Sequence, residues 1–106
     1  MEAPPKSIAE VYELIRQRFA ADPAASYVAS LAARGEDAML KKIAEESGEV
    51  LLAAKNGDRA AAVHELADLW FHLLVWMGHA GITPAELERE LGARYGKPGL
   101  RTAPDS

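Results

Sequence analysis

The chain has 106 residues, of which 49% are hydrophobic and 26% are charged, and its formal net charge is −4 at pH 7. The length predicts one domain, residues 1–106, the acidic balance disfavours a nucleic-acid binder, and the lack of cysteine excludes disulfides and thiolate metal sites. Since there is no signal-peptide pattern and the longest apolar run, residues 69–78, is too short to cross a bilayer, we expect a cytoplasmic protein with no membrane partner.

The first predicted helix follows residues 1–6, which we expect to form a flexible tail. Ser7 and Glu10 form a capping-box pattern, in which the serine accepts a backbone hydrogen bond and the glutamate reaches back to the helix start. Apolar residues then recur at helical spacing. The helix should end near Ala21, because Pro23 disfavours the helical conformation in the residue before it.

The second and third predicted helices are separated by Gly35, a typical C-terminal cap. Ser26 is the expected N-cap of the second helix, and the third should run over about residues 37–55. Gly48 lies inside the third helix, where it costs about 1 kcal/mol relative to alanine. It indicates either close approach of another backbone or a ligand, or simple tolerance. The apolar stripe predicted for this helix comprises Leu40, Ile43, Ala44, Val50, Leu51 and Ala54.

The fourth predicted helix is apolar on nearly all sides. It follows the stop signal at Gly57, takes Asp58 as its cap and runs to about Ala80, before Gly81. A helix of this kind is buried by neighbours on several sides. In a chain this short, we expect the additional burial to come from a second copy.

The last predicted helix begins with the capping box formed by Thr83 and Glu86, with Pro84 at its first position. It should end before Gly96, and we expect residues 97–106 to form a second flexible tail. The predicted class is therefore all-α, with antiparallel helical hairpins forming a four-helix-bundle-like core that dimerisation completes.

Two pairs of carboxylates flank the predicted turn between the third and fourth helices. Glu46 and Glu49 are three residues apart, as are Glu65 and Asp68, so each pair shares a helix face. A solvated acidic face is the usual reading of one such pair. However, the second pair starts the most apolar helix, where an unpaired charge is costly. If the turn folds the helices antiparallel, the four carboxylates come close together and repel one another. This arrangement predicts a site for a divalent cation, which would compensate their charge.

An all-oxygen ligand set favours Mg²⁺, with Mn²⁺ as a possible substitute, over zinc. Mg²⁺ commonly binds through carboxylates together with substrate phosphates. A di-iron bundle site would require Glu-x-x-His motifs, and the positions three before the histidines are Ala61, Leu69 and Trp76. The sequence therefore excludes the di-iron ligand pattern.

Further polar residues lie beside these acids. Glu45 could be a general base, an outer ligand or an ion-pair partner. Lys42 and Lys55 could each contact a phosphate or form a surface ion pair. His72 is best interpreted as a hydrogen-bonded core histidine, and His64 gives no usable indication.

The acidic motif Glu45-Glu46-x-x-Glu49, followed by Glu65-x-x-Asp68, resembles the signature of the all-α nucleotide pyrophosphohydrolases, the MazG-like superfamily. Further stretches are similar to one family within it, the phosphoribosyl-ATP pyrophosphatases of histidine biosynthesis. The similarity covers roughly residues 7–96. These further stretches are Asp22-Pro23, Ser26-Tyr27-Val28, Leu31, Gly35, Leu40-Lys41-Lys42-Ile43, Ala53-Ala54-Lys55, Gly57-Asp58, Glu65-Leu66-Ala67-Asp68-Leu69 and Phe71-His72-Leu73-Leu74-Val75.

The resemblance implies Mg²⁺-dependent hydrolysis of phosphoribosyl-ATP to phosphoribosyl-AMP and pyrophosphate by a cytoplasmic homodimer. By position, it implies a metal site formed by Glu46, Glu49, Glu65 and Asp68. Glu45 and Glu49 are the candidates for taking a proton from water. Lys42 and Lys55 match lysines expected near the substrate phosphates.

Two alternatives accompany this interpretation. A house-cleaning pyrophosphohydrolase of the same fold would hydrolyse ordinary or damaged nucleoside triphosphates. A non-catalytic helical module would dimerise or bind a partner, and would show no Mg²⁺-dependent turnover.

Overall fold

The computed structural model describes residues 3–96, and every regular element in this part of the chain is an α-helix. The all-α prediction is therefore confirmed. The predicted tail at residues 97–106 lies outside the described residues. The helices are α1 (Ile8–Arg18), α2 (Tyr27–Arg34), α3 (Glu36–Lys55), α4 (Arg59–Ala80) and α5 (Pro84–Gly92).

The helices begin where short polar side chains can cap them. Ser7, Ser26 and Asp58 each accept a hydrogen bond from the backbone N–H three residues on, which satisfies a donor that lacks a partner within the helix. Thr83 and Glu86 form the complete capping box predicted for α5. These local signals place four of the five helix starts.

The α3 and α4 helices form the central hairpin of the fold. They are the longest helices, pack against each other more extensively than any other described pair, and are joined by residues 56–58. Gly57 has φ 69°, in the left-handed region that favours glycine, which lets the chain reverse within this short turn. The hairpin is therefore antiparallel, and α1 packs on α4 while α2 packs on α3.

The hydrophobic core lies at the C-terminal half of α4, where α1 and α2 cover the hairpin. Leu74 and Val75 are almost completely buried there, with Leu31 of α2 and Met39 of α3. The remaining members of the buried cluster are Tyr12, Ile15, Val28 and Met77. No described helix is long and apolar enough to cross a membrane.

The structure corrects the predicted core stripe of α3. Leu40 and Leu51 are 44% and 66% exposed, whereas Met39 and Ala53 are buried. The hairpin is apolar on two sides, and α1 and α2 are enough to cover only one of them. Sequence periodicity identifies apolar residues on one face of α3. It does not show which face the other helices of the same chain pack against.

Candidate active site

Three ligating side chains come together in the second and third turns of α4. One ligand atom from each of His64, Glu65 and Asp68 lies within 4.8 Å of the other two. The imidazole Nε2 of His64 is 3.6 Å from Asp68 Oδ2. Glu65 and Asp68 are half-buried and His64 is exposed, so the cluster faces solvent at the edge of the hairpin.

A second polar cluster lies on α3 around Lys42. Its ammonium is 3.4 Å from Glu46 Oε1 and 3.7 Å from Glu45 Oε1. The Glu46 side chain is only 12% exposed, compared with 50% for Glu45, so the inner carboxylate is the one that most needs a counter-charge. Lys42 supplies that charge.

The electrostatics of this cluster keep Lys42 protonated. Desolvation acts to lower the pKa of Lys42, but the hydrogen bond to Glu46 and the neighbouring groups Tyr27, Glu46 and Glu45 together raise that pKa above its usual value. Lys42 is therefore a cation at neutral pH, which suits the contact with a phosphate that was predicted for it.

The two acidic motifs lie at matching levels of the hairpin. Glu49 and Glu65 are each eight positions from Gly57, and Glu46 and Asp68 are each eleven. In an antiparallel hairpin, residues equally distant from the turn lie at similar heights. The α3–α4 packing therefore places the two motifs at similar heights along the hairpin.

The group of ligating side chains that the structure brings together differs from the predicted set of four carboxylates. Within the residues that the structure describes, the ligand group under 4.8 Å takes its members from α4 and includes His64. Glu46 is paired with Lys42, and Glu49 is exposed on the next turn of α3. The set of Glu46, Glu49, Glu65 and Asp68 therefore stays a prediction.

Lys55 lies apart from Lys42. It is exposed in the last turn of α3, and the two lysines are thirteen positions apart, a helical rise of about 20 Å. Both were predicted to contact substrate phosphates. Within one copy they cannot contact the same phosphate group.

His72 has the structural role that was predicted for it. It is 5% exposed, and its Nδ1 lies 2.8 Å from the backbone carbonyl oxygen of Asp68, one turn earlier in α4. Its Nε2 lies 2.8 Å from the hydroxyl of Tyr27 on α2. The histidine thus connects α2 to the turn of α4 that carries the acidic cluster.

Comparison with known proteins identifies the family to which these motifs belong. The family model described as phosphoribosyl-ATP pyrophosphohydrolase matches residues 8–95, which include all five helices. The chain belongs to the phosphoribosyl-ATP pyrophosphohydrolase family. The resemblance inferred from the motifs is confirmed.

Relatives within this family are similar over most of the chain. A phosphoribosyl-ATP pyrophosphatase from Methylibium petroleiphilum is 49% identical over 94 residues, covering 89% of this chain and 78% of the relative. One from Pelotomaculum thermopropionicum is 50% identical over 90 residues, with 85% and 92% covered. The histidine biosynthesis bifunctional protein HisIE of Deinococcus radiodurans is 50% identical over 95 residues, but only 44% of its length is covered.

Two residues that contact side chains of this site had no predicted role in it, namely His64 and Tyr27. His64 was set aside, although it precedes Asp68 by four residues and so shares its helix face. Tyr27 was read only as part of a motif, because its contact with His72 joins residues 45 positions apart. The spacing of four residues could have indicated the contact between His64 and Asp68. No local pattern indicates the contact between Tyr27 and His72.

Proposed function

We propose that this chain hydrolyses phosphoribosyl-ATP to phosphoribosyl-AMP and pyrophosphate, the second step of histidine biosynthesis, in a cytoplasmic, Mg²⁺-dependent reaction. The observation that carries the proposal is the family match over residues 8–95, which contain the complete acidic hairpin. The pyrophosphatase names of relatives that are nearly half identical support the same activity.

The donor set of the hairpin fits a hard divalent cation. Glu65 and Asp68 offer half-buried carboxylate oxygens, which Mg²⁺ and Mn²⁺ prefer as ligands. Glu46 and Glu49 of α3 would complete the set from the facing helix. When bound, the cation would neutralise charge on the phosphate oxygens and lower the pKa of a water molecule.

The protein's own groups have separable roles in this reaction. Water attacks the phosphorus atom at the α–β linkage, a new P–O bond forms, and the bond to the departing pyrophosphate breaks. Glu45 or Glu49 takes the proton from the attacking water. Lys42 stabilises the charge that develops on the pyrophosphate.

We further propose that the enzyme is a homodimer joined through the uncovered side of the hairpin. Large apolar side chains are exposed on both helices of the described chain. A large exposed apolar surface usually marks an interface. The radius of gyration, 16.1 Å, exceeds the about 13 Å of a compact domain of this length. The exposed large hydrophobic side chains on α3 and α4 are Leu40, Leu51, Leu52, Val63, Leu66 and Trp70.

The deciding experiment measures pyrophosphate release from phosphoribosyl-ATP, with and without Mg²⁺, and uses ATP and dUTP as control substrates. We expect release from phosphoribosyl-ATP alone, and only with the cation. Release from the control nucleotides would instead place the protein among the house-cleaning pyrophosphohydrolases. No release from any substrate would contradict the enzymatic proposal and favour the partner-binding module.

A further inference from the structure

His64 and Asp68 lie at a distance that a hydrogen bond does not explain. The Nε2 atom of His64 is 3.6 Å from Oδ2 of Asp68, whereas hydrogen bonds between nitrogen and oxygen are about 2.7–3.2 Å long. Two ligand atoms that each lie about 2.1 Å from one cation are roughly 3.0–4.2 Å apart. The spacing of the imidazole nitrogen and the carboxylate oxygen therefore suits a shared cation.

Glu65 gives this pair a third donor. One of its carboxylate oxygens lies within 4.8 Å of the ligand atoms of both His64 and Asp68. The three residues occupy positions i, i+1 and i+4 of α4, so His64 and Asp68 share a helix face and Glu65 lies beside them. Helical zinc sites use the same i, i+4 spacing of ligands. Successive turns of one helix thus present one nitrogen and two oxygen donors together.

The other two histidines of the chain are placed differently. His72 is buried, and both of its ring nitrogens already have hydrogen-bond partners. His79 is exposed in the last turn of α4, where its Nε2 lies 3.8 Å from Oε2 of Glu36. Among the described residues, His64 is the histidine that lies together with two carboxylates.

An imidazole nitrogen changes which cations a carboxylate site prefers. Carboxylates alone suit Mg²⁺ and Mn²⁺, whereas imidazole suits borderline cations such as Zn²⁺. The side chain of His64 is 73% exposed and that of Asp68 is 44% exposed, so a hydrated cation can reach both from solvent. A mixed set of nitrogen and oxygen donors is therefore accessible on α4.

We propose that His64 is a nitrogen ligand of the divalent cation held by Glu65 and Asp68, and that it makes this cluster favour Zn²⁺ and similar first-row transition-metal cations over Mg²⁺. This assignment rests on the proposed function for the part that the cation plays in hydrolysis, whereas the binding of the cation itself can be measured without turnover. It adds a donor of a different kind to the all-oxygen set expected from the acidic motifs.

Metal affinities of the full chain test this ligand role. Dissociation constants for Zn²⁺ and for Mg²⁺ are measured by titration calorimetry for the unsubstituted protein, His64→Gln and His79→Gln. We expect His64→Gln to raise the Zn²⁺ constant at least about tenfold, because even residues that only orient a metal ligand contribute that much. The Mg²⁺ constant should change less than about twofold, since Mg²⁺ prefers oxygen donors.

His79→Gln is the matched control for His64→Gln. Both histidines are exposed on α4, and each has its Nε2 within 4.0 Å of one carboxylate oxygen. His79 lies eleven positions beyond Asp68, a helical rise of about 16 Å, so it cannot bind the same cation. We expect His79→Gln to leave both dissociation constants unchanged.

Electron spin-echo spectroscopy of bound Mn²⁺ gives a direct readout of nitrogen ligation. A histidine nitrogen bound to Mn²⁺ modulates the echo, and replacing nitrogen-14 by nitrogen-15 in histidine changes that modulation. We expect the modulation in the unsubstituted protein and in His79→Gln, and its loss in His64→Gln. If His64→Gln does not fold, isotope substitution in the unsubstituted protein and in His79→Gln still decides the matter.

Several results would overturn the ligand role of His64. These are a spectrum without histidine modulation, a modulation that His64→Gln leaves unchanged, and an equal loss of Zn²⁺ and Mg²⁺ affinity in His64→Gln. Failure of the proposed function gives a different result. If histidine modulation is present but phosphoribosyl-ATP releases no pyrophosphate, the proposed function fails and the ligand role stands. Pyrophosphate release without histidine modulation would do the reverse.

Discussion

At the scale of single residues, the carboxylates of the hairpin differ in their ion-pair partners. Glu46 is largely buried and is balanced by Lys42, whereas Glu65 and Asp68 lie beside the exposed His64. Within the described residues, neither α4 carboxylate forms an ion pair with a lysine or arginine. They are the better starting point for a cation site.

Neutral substitutions of these α4 carboxylates should remove activity without unfolding the chain. We expect Asp68→Asn and Glu65→Gln to lower kcat roughly a hundredfold or more, because an amide is a weak ligand for a hard cation. Both residues are only half-buried, so helical circular dichroism should be unchanged. The assay is Mg²⁺-dependent pyrophosphate release across a range of Mg²⁺ concentrations.

The control for these variants is Glu90→Gln on α5. Glu90 is exposed and pairs with Arg94 at 3.2 Å, away from the hairpin turn, so its loss should cost little. Full activity in either Asp68→Asn or Glu65→Gln would contradict the metal-site assignment.

At the scale of the elements, two glycines within the long helices have opposite surroundings. A Cβ added at Gly48 of α3 would meet no atom within 4 Å, so close approach of another part of the described chain does not explain this glycine. A Cβ added at Gly78 of α4 would lie 2.8 Å from Phe19 Cε2. Gly78 therefore permits the end of α1 to pack closely against α4.

The same change at both glycines should have different effects on stability. Gly48→Ala should raise the free energy of unfolding by about 1 kcal/mol, since alanine is the better helix former. Gly78→Ala gains the same propensity, but it must displace the partly buried Phe19 ring, which costs about 1–3 kcal/mol. We expect Gly78→Ala to be about 2 kcal/mol less stable than Gly48→Ala in urea titrations.

Equal stability of the two variants would show that the Phe19 ring moves aside at no cost. The Gly48→Ala variant also distinguishes the explanations that remain for that glycine. If stability rises and pyrophosphate release falls, a ligand or the second copy approaches α3 at Gly48. If stability rises and release is unchanged, the helix simply tolerates the glycine.

At the scale of the whole molecule, the uncovered side of the α3–α4 hairpin is the main feature. The chain is elongated, with extents of 51 × 33 × 33 Å, because α1, α2 and α5 cover only part of the central hairpin. Leu51 and Leu66 remain 66% and 44% exposed on its two helices. A second copy would cover this face and extend the four-helix-bundle arrangement.

Placing a charge on this face should separate the two copies. We expect Leu51→Glu and Leu66→Glu to shift the sedimentation mass from two chains to one, because each would bury an unpaired carboxylate in the interface. Helical content should remain, since both positions are exposed in the single chain. Ile8→Glu, at an exposed residue in the first turn of α1, should leave the mass unchanged.

A monomeric unsubstituted protein would contradict the homodimer proposal directly. A dimer that persists in both hairpin variants would place the interface on a different surface. Measuring pyrophosphate release on the same samples shows whether activity depends on the second copy.

The sequence by itself determined the elements and the family. Helix starts at Ser7, Ser26, Asp58 and Thr83, and the acidic motifs on either side of Gly57, depend on residues close together along the chain. Capping and helical spacing act over three or four residues, so they can be read without a structure.

Only the tertiary structure decided which surfaces and partners these elements acquire. Met39 rather than Leu40 faces the core, Tyr27 meets His72 across 45 positions, and Gly78 meets Phe19, the residue that follows α1. Each outcome depends on how two helices from distant parts of the chain are placed against each other. Because α3 and α4 are apolar on more than one side, their own patterns allow several packings. The covering helices α1 and α2 select the packing that is observed.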